Sequence, residues 1–137
     1  MRFLLFIALF ILSTPALAVC GDTTSPAAQV VKNHWLSETG DPRQTCIFYG
    51  DYSGDGAADA LALYYFHKPG DGVVLEAAMF RAVGGTFRFD GSADIDGQNP
   101  RDVRFKKGGI TLVTTLTGPD DLWCCSTPPR DWTIRTP

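Results

Sequence analysis

The chain has two histidines, two glutamates and four cysteines, and none of the short signatures that announce a common catalytic chemistry. G-x-S-x-G, H-E-x-x-H, G-x-x-x-x-G-K-[ST] and G-x-G-x-x-G are all missing. That removes the nucleophile-elbow hydrolases, the zincin peptidases, the P-loop nucleotidases and dinucleotide binding by sequence signature. A Ser-His-Asp site assembles in space and has no such signature, but His34 and His67 are its only possible bases. His34 falls on the apolar stripe of a helix and reads as a packed histidine, while His67 sits at a turn. There is no C-x-x-C, and neither histidine stands at a metal-ligand spacing from a cysteine, so zinc and dithiol redox chemistry are disfavoured. Thirteen aspartates leave a carboxylate pair for glycan hydrolysis conceivable, but nothing marks a particular pair. The expectation is a chain without catalytic residues. No run of basic residues exceeds Lys106-Lys107, which argues against nucleic acid or an anionic membrane as partner.

One apolar run is present, Phe3 to Leu12, too short to span a bilayer comfortably. Arg2 precedes it and Ala16-Leu17-Ala18 follows, the pattern of a secretory signal cleaved after Ala18. Residues 1–18 are therefore expected to be a signal peptide and residues 19–137 a single exported domain, periplasmic or secreted, with no stable membrane insertion after cleavage. Removing Arg2 takes the formal net charge from −3 to −4. A second reading of the same residues is a lipobox, Leu17-Ala18-Val19-Cys20, with a lipid anchor at Cys20. Val19 stands where such a box takes a small residue, which favours simple cleavage.

Cys20, Cys46, Cys124 and Cys125 all survive cleavage, an even number in an exported chain. Adjacent cysteines close a strained ring when they bond to each other. Cys124 and Cys125 are accordingly expected to reach Cys20 and Cys46, one each, in either of two connectivities.

Ser25-Pro26 reads as N-cap and first helical residue, and Ala27, Val30, Val31, His34 and Trp35 recur at helical spacing. The helix should stop near Gly40. Strands follow: 45–49, 58–66, 73–82, 86–90, 102–106, 110–116 and 131–135, mostly joined by glycine-containing turns. The segment 58–66 is apolar on both faces and should be a covered central strand. Asp90 to Pro100 reads as a long polar connection. The expected fold is α+β, an N-terminal helix packed on a twisted antiparallel meander of six to seven strands, stapled by disulfides.

The stretch D-Y-S-G-D-G-A-A-D, 51–59, carries oxygen ligands at alternate positions. Asp51, Ser53, Asp55, the Ala57 carbonyl and Asp59 occupy places 1, 3, 5, 7 and 9 of a calcium loop, with Gly56 at the sharp turn. Ala62 replaces the twelfth-position glutamate, so this is no EF-hand. The loop resembles the shorter acidic loops between strands of FG-GAP and integrin-type repeats. Calcium is the one cofactor that the sequence suggests. The competing reading is a turn whose aspartates bond their own backbone. Trp35, Trp123 and Trp132 read as core or disulfide cover before they read as a binding face.

The segment D-Y-S-G-D-G-A-A-D-A-L-A after a helix and a cysteine, together with D-D-L-W-C-C-S-T-P-P-R near the end, resembles the small exported bacterial proteins and lipoproteins of the LppP/LprE family. Those carry an acidic D-G loop running into a strand, and late in the chain an Asp followed by Cys-Cys-Pro-Ser and an arginine. Asp120 or Asp121, Cys124, Cys125 and Arg130 stand in similar places, with Ser126-Thr127-Pro128-Pro129 after the cysteines. The resemblance implies export and a disulfide-bonded α+β domain, and no known activity. Small size, cysteines and net acidity together lead to a non-enzymatic domain that binds a protein partner in the cell envelope, in the manner of an inhibitor or immunity protein. A calcium-dependent structural or ligand-binding module is the alternative.

Overall fold

The structure is a computed structural model and describes residues 16, 18–20, 22–38, 43–68, 72–115 and 128–137. Its elements are β1 (Ala18–Cys20), α1 (Pro26–Glu38), β2 (Arg43–Gly50), β3 (Asp59–Lys68), β4 (Gly72–Val83), β5 (Thr86–Ile95), β6 (Gln98–Lys106), β7 (Gly109–Thr115) and β8 (Pro129–Arg135). They form two antiparallel meanders, a five-stranded sheet β1-β2-β3-β4-β5 and a three-stranded sheet β6-β7-β8. Helix α1 covers one face of the larger sheet, and the smaller sheet covers the other. The α+β description holds, with the meander divided in two so that both faces of the larger sheet are buried.

Alternation along the strands sorts the core into two layers. Ile47, Ala60, Ala62, Tyr64, Ala78 and Phe80 meet Ala27, Ala28, Val31 and Trp35 of the helix. Small side chains in the middle of both surfaces let the helix approach closely, while Trp35, Tyr64 and Phe80 fill the space around them. Phe48, Leu61, Leu63, Leu75, Ala77, Met79 and Ile95 point the other way, onto Val103, Ile110, Leu112 and Ile134 of the second sheet. β3 is buried on both faces from Ala60 to Tyr64, as its unbroken apolar run requires.

The helix starts as its sequence dictates. Ser25 Oγ accepts the Ala28 N–H at 3.1 Å, which satisfies one of the unpaired donors of the first turn. Asp22 Oδ1 accepts the N–H groups of Thr24 and Ser25 at 2.9 and 3.2 Å. Hydrogen bonding with the Ser25 side chain first, then these N–H donors, brings the Asp22 pKa down to about 2. His34 packs flat on Phe89 with ring centroids 4.0 Å apart and meets Phe80 edge-on, so it serves the helix–sheet contact.

Two expectations are corrected. The segment 90–100 is not a polar loop: β5 runs on to Ile95, and β6 begins at Gln98 after a two-residue corner, Asp96-Gly97. Gly91, at φ 145°, absorbs a register shift between Met79 and Phe80, and beyond it Ala93 and Ile95 turn to the core while Ser92 and Asp94 stay exposed. Gly97 (φ 106°) makes the corner, where a Cβ would lie 2.6 Å from Thr114 Oγ1. Ser92, Asp94, Gln98 and Asn99 are thus the exposed residues of two strands.

The second correction concerns the cysteines. Cys20 and Cys46 are bonded to each other. They stand directly opposite in the β1–β2 ladder, with Cα atoms 4.0 Å apart. A sulfur forms one disulfide, so the expected links from Cys124 and Cys125 to this pair are not made; Cys124 and Cys125 themselves lie outside the described residues. The bond closes a loop that contains all of α1 and pins the N-terminal strand to β2. In the chain-entropy view a loop of this length is worth about 3 kcal/mol. We expect Cys20→Ser/Cys46→Ser to lose about 2–4 kcal/mol in urea unfolding. Non-reducing peptide mapping of the wild type should return the Cys20–Cys46 cross-linked peptide.

Candidate functional site

The loop 51–59 joins β2 to β3, and its carboxylates are spent on backbone. Asp51 Oδ1 accepts the N–H groups of Gly54 and Asp55 at 2.6 and 3.2 Å and the Ser53 hydroxyl at 3.2 Å. Its Oδ2 accepts the Gly56 N–H at 2.8 Å. Gly54 and Gly56 adopt φ of 75° and 90°, which turns successive N–H groups toward one carboxylate. Partial burial pushes the Asp51 pKa up, but the donors of Gly56, Gly54, Ser53 and Asp55 together outweigh it and hold the group below the ordinary carboxylate value. Asp55 accepts the Ala57 N–H at 2.8 Å.

Asp59 faces the other way. It is fully buried, and its Oδ2 accepts the N–H groups of Tyr52 and Ser53 at 3.1 and 2.9 Å, while Oδ1 accepts the Ala82 N–H of β4 at 3.0 Å. Tyr52, also fully buried, donates its hydroxyl to Asp90 Oδ2 in β5 at 3.2 Å, and its carbonyl accepts the Gly108 N–H from the β6–β7 turn at 2.9 Å. Arg81 Nε donates to the same Asp90 oxygen at 3.1 Å. Burial first, then the charges of Asp90 and Asp59, push the Tyr52 phenol pKa well up, so it remains a hydrogen-bond donor. The loop is therefore a bracket that ties β2, β3, β4, β5 and the β6–β7 turn together.

The five expected calcium ligands are brought into one loop but not onto one point of use. Recruiting Asp59 would break three hydrogen bonds to buried or half-buried N–H groups, and the Ser53 hydroxyl already donates to Asp51. Among the described residues no three carboxylate, histidine or cysteine side chains gather closely enough to hold a metal ion. The Lys107 stem lies against Gly54, which also sets a basic residue beside the loop. This donor set fits a turn better than a calcium cage.

A second polar group lies under the helix. Tyr64, Glu76 and Asp94 are successive partners across β3, β4 and β5. Tyr64 is buried, its ring 3.8 Å from that of Trp35 between centroids, and burial first, then Glu76, push its phenol pKa well up. His67 lies in β3 with its side chain outside the described residues, as are Asp120, Asp121 and Trp123. No family model, curated protein or solved structure matches the chain. No described helix is long and apolar enough to cross a membrane.

The feature that linear reading missed is a cationic surface. Val103 and Phe105 of β6, Ile110 and Leu112 of β7, and Trp132 and Ile134 of β8 face inward. Alternation therefore sends Arg104, Lys106 and Arg135 to the solvent face of the small sheet, all exposed. Register aligns Lys106 with Gly109 and Gly109 with Arg135, and in the next rung Arg104 with Thr111 and Thr111 with Thr133. Arg101 shares this face but is tied to the Asn99 carbonyl and the Thr115 hydroxyl, and its rung ends in Asp131. Among the described residues the one ion pair is Arg81–Asp90, so the three cations have no acidic partner there. The period-2 alternation of β6 and β8 was the available signal; only the pairing through β7 places the two strands in one patch.

We expect Asp59→Ala to cost more than about 3 kcal/mol, because three N–H groups lose their acceptor. Asp55→Ala should change stability by less than about 1 kcal/mol. Melting with calcium or with chelator should give the same Tm for wild type and Asp55→Ala; a calcium-dependent rise abolished in Asp55→Ala would establish an ion site instead.

Acid should act through Asp22 and Asp51. Both have folded pKa values below the ordinary 3.8, so their stabilisation is complete above about pH 4. It is lost as pH falls through the folded values, for Asp22 near 2. Carboxyl NMR titration should show both groups protonating below the ordinary value of 3.8.

Proposed function

We propose that this chain is an exported, disulfide-stapled domain that works by binding a protein partner in the cell envelope through the solvent face of the β6-β7-β8 sheet. The observation that carries the reading is the patch of Arg104, Lys106 and Arg135 on a rigid sheet in a chain of net negative charge. Uncompensated like charges repel, and a surface that holds them together is suited to a partner that brings the opposite charge. The carboxylates of the acidic loop and of Asp90 are meanwhile spent on internal bonds, which supports a scaffold role for them.

Export is supported by the disulfide. Bonds of this kind persist in oxidising compartments. Cys20 joined to Cys46 also has no thiol left for a thioether-linked lipid, which favours cleavage after Ala18 over a lipid anchor. Such cleavage would leave Val19 and Cys20 to hold the β1–β2 ladder, fastened by the disulfide. Intact mass of the mature protein should correspond to an N-terminal Val19 with no acyl group, Cys20 being bonded to Cys46; a diacylglyceryl mass on Cys20 would reverse this.

Cross-linking capture from envelope extract tests the binding reading. The oxidised wild type should recover one stoichiometric protein, and Arg104→Glu/Arg135→Glu should lose it. Repeated recovery of no protein by the wild type would overturn the reading.

A further inference from the structure

The geometry points to an acidic polypeptide segment as the ligand of this face, an inference that rests on the binding reading above and names the chemistry of the partner. Lys106 and Arg135 stand in one rung with Gly109 between them. Gly109 has no side chain to fill the space, and the Lys106 stem lies over it, with Cε 3.4 Å from where a Cβ would stand. Arg104 closes the arrangement from the neighbouring rung, beside the hydroxyl-bearing Thr111 and Thr133. Gly109 is buried beneath that stem, so the three cations stand close together at one end of this sheet face.

The dimensions suit carboxylates carried on a polypeptide. Alternate residues of a strand are about 6.7 Å apart, and β6 and β8 are separated by two strand spacings, about 9.5 Å. Acidic side chains at alternate positions of an extended segment repeat at the first of those intervals. Two of the three cations are arginines, whose planar forks take a carboxylate through two parallel hydrogen bonds. Other polyanions fit less well. No aromatic side chain is present in these two rungs to stack a base, which single-stranded nucleic acid binding uses. The net charge of the mature chain is negative, so an extended anionic bilayer would repel the molecule as a whole while attracting only this patch.

The experiment titrates the oxidised mature chain against labelled poly-L-glutamate, with phosphatidylglycerol vesicles as the competing polyanion. Three proteins are compared: wild type, Arg104→Glu/Arg135→Glu, and Lys32→Glu/Arg88→Glu. The last makes the same change in net charge at exposed positions on the helix and β5. Wild type should bind poly-L-glutamate with an affinity that falls as salt rises. The Arg104/Arg135 pair should weaken it at least about tenfold, and the Lys32/Arg88 pair by less than about threefold. All three should melt alike, since every substituted side chain is exposed. Equal weakening by both pairs would reduce the effect to net charge and overturn the inference. So would preference for the vesicles, or no binding of poly-L-glutamate. If cross-linking still recovers a protein that Arg104→Glu/Arg135→Glu loses, the failure belongs to the acidic-segment inference alone; if no protein is recovered, the binding reading fails with it.

Discussion

The buried carboxylate of Asp59 is the constraint on which the architecture turns. A carboxylate with no access to water persists only where donors replace its hydration, and three backbone N–H groups do so here. Two of them belong to the loop before β3 and one to the far end of β4. The bond set therefore fixes the path of the loop relative to the sheet. Tyr52, held by its own N–H on Asp59, is then placed to reach Asp90 through its hydroxyl and the β6–β7 turn through its carbonyl. Tyr52 thus couples the larger sheet to the smaller, through its hydroxyl on one side and its carbonyl on the other.

Around that bracket the layers close by shape. Alanines in β3 and β4 meet alanines on α1, so the helix comes near, and large aromatic side chains seal the margins. On the opposite face Leu, Met and Ile side chains of the larger sheet interleave with Val103, Ile110, Leu112 and Ile134. The small sheet has one face occupied in this way, and its other face must be polar. That necessity puts Arg104, Lys106 and Arg135 outside; nothing in the packing calls for three cations in two neighbouring rungs.

Much of this was legible in the linear chain. Ser25-Pro26 set the start of the helix because capping chemistry is local, and 58–66 read as a covered strand because both of its faces are apolar. The acidic loop was visible too, but its two uses share one residue pattern: aspartates and glycines at alternate positions serve a cation and a self-bonded turn equally. Which way Asp59 points depends on Ala82, 23 residues away in the chain. The 90–100 segment misled because a bulge at Gly91 and a corner at Gly97 interrupt the alternation that marks a strand, so its outward polar half was read as loop. The cysteine pairing misled for a related reason. Strain between neighbouring cysteines argued for long-range bonds, while the β1–β2 register had already put Cys20 opposite Cys46.

Local chemistry alone determined the helix cap, the strand periods and the α+β class, since each depends on residues a few positions apart. Tertiary structure decided how Cys20 and Cys46 bond, which donors the acidic loop's carboxylates accept and where positive charge accumulates. Those depend on register and on the side of a sheet that a residue faces. A shift of one position inverts that side, so these properties exist only once the strands have paired.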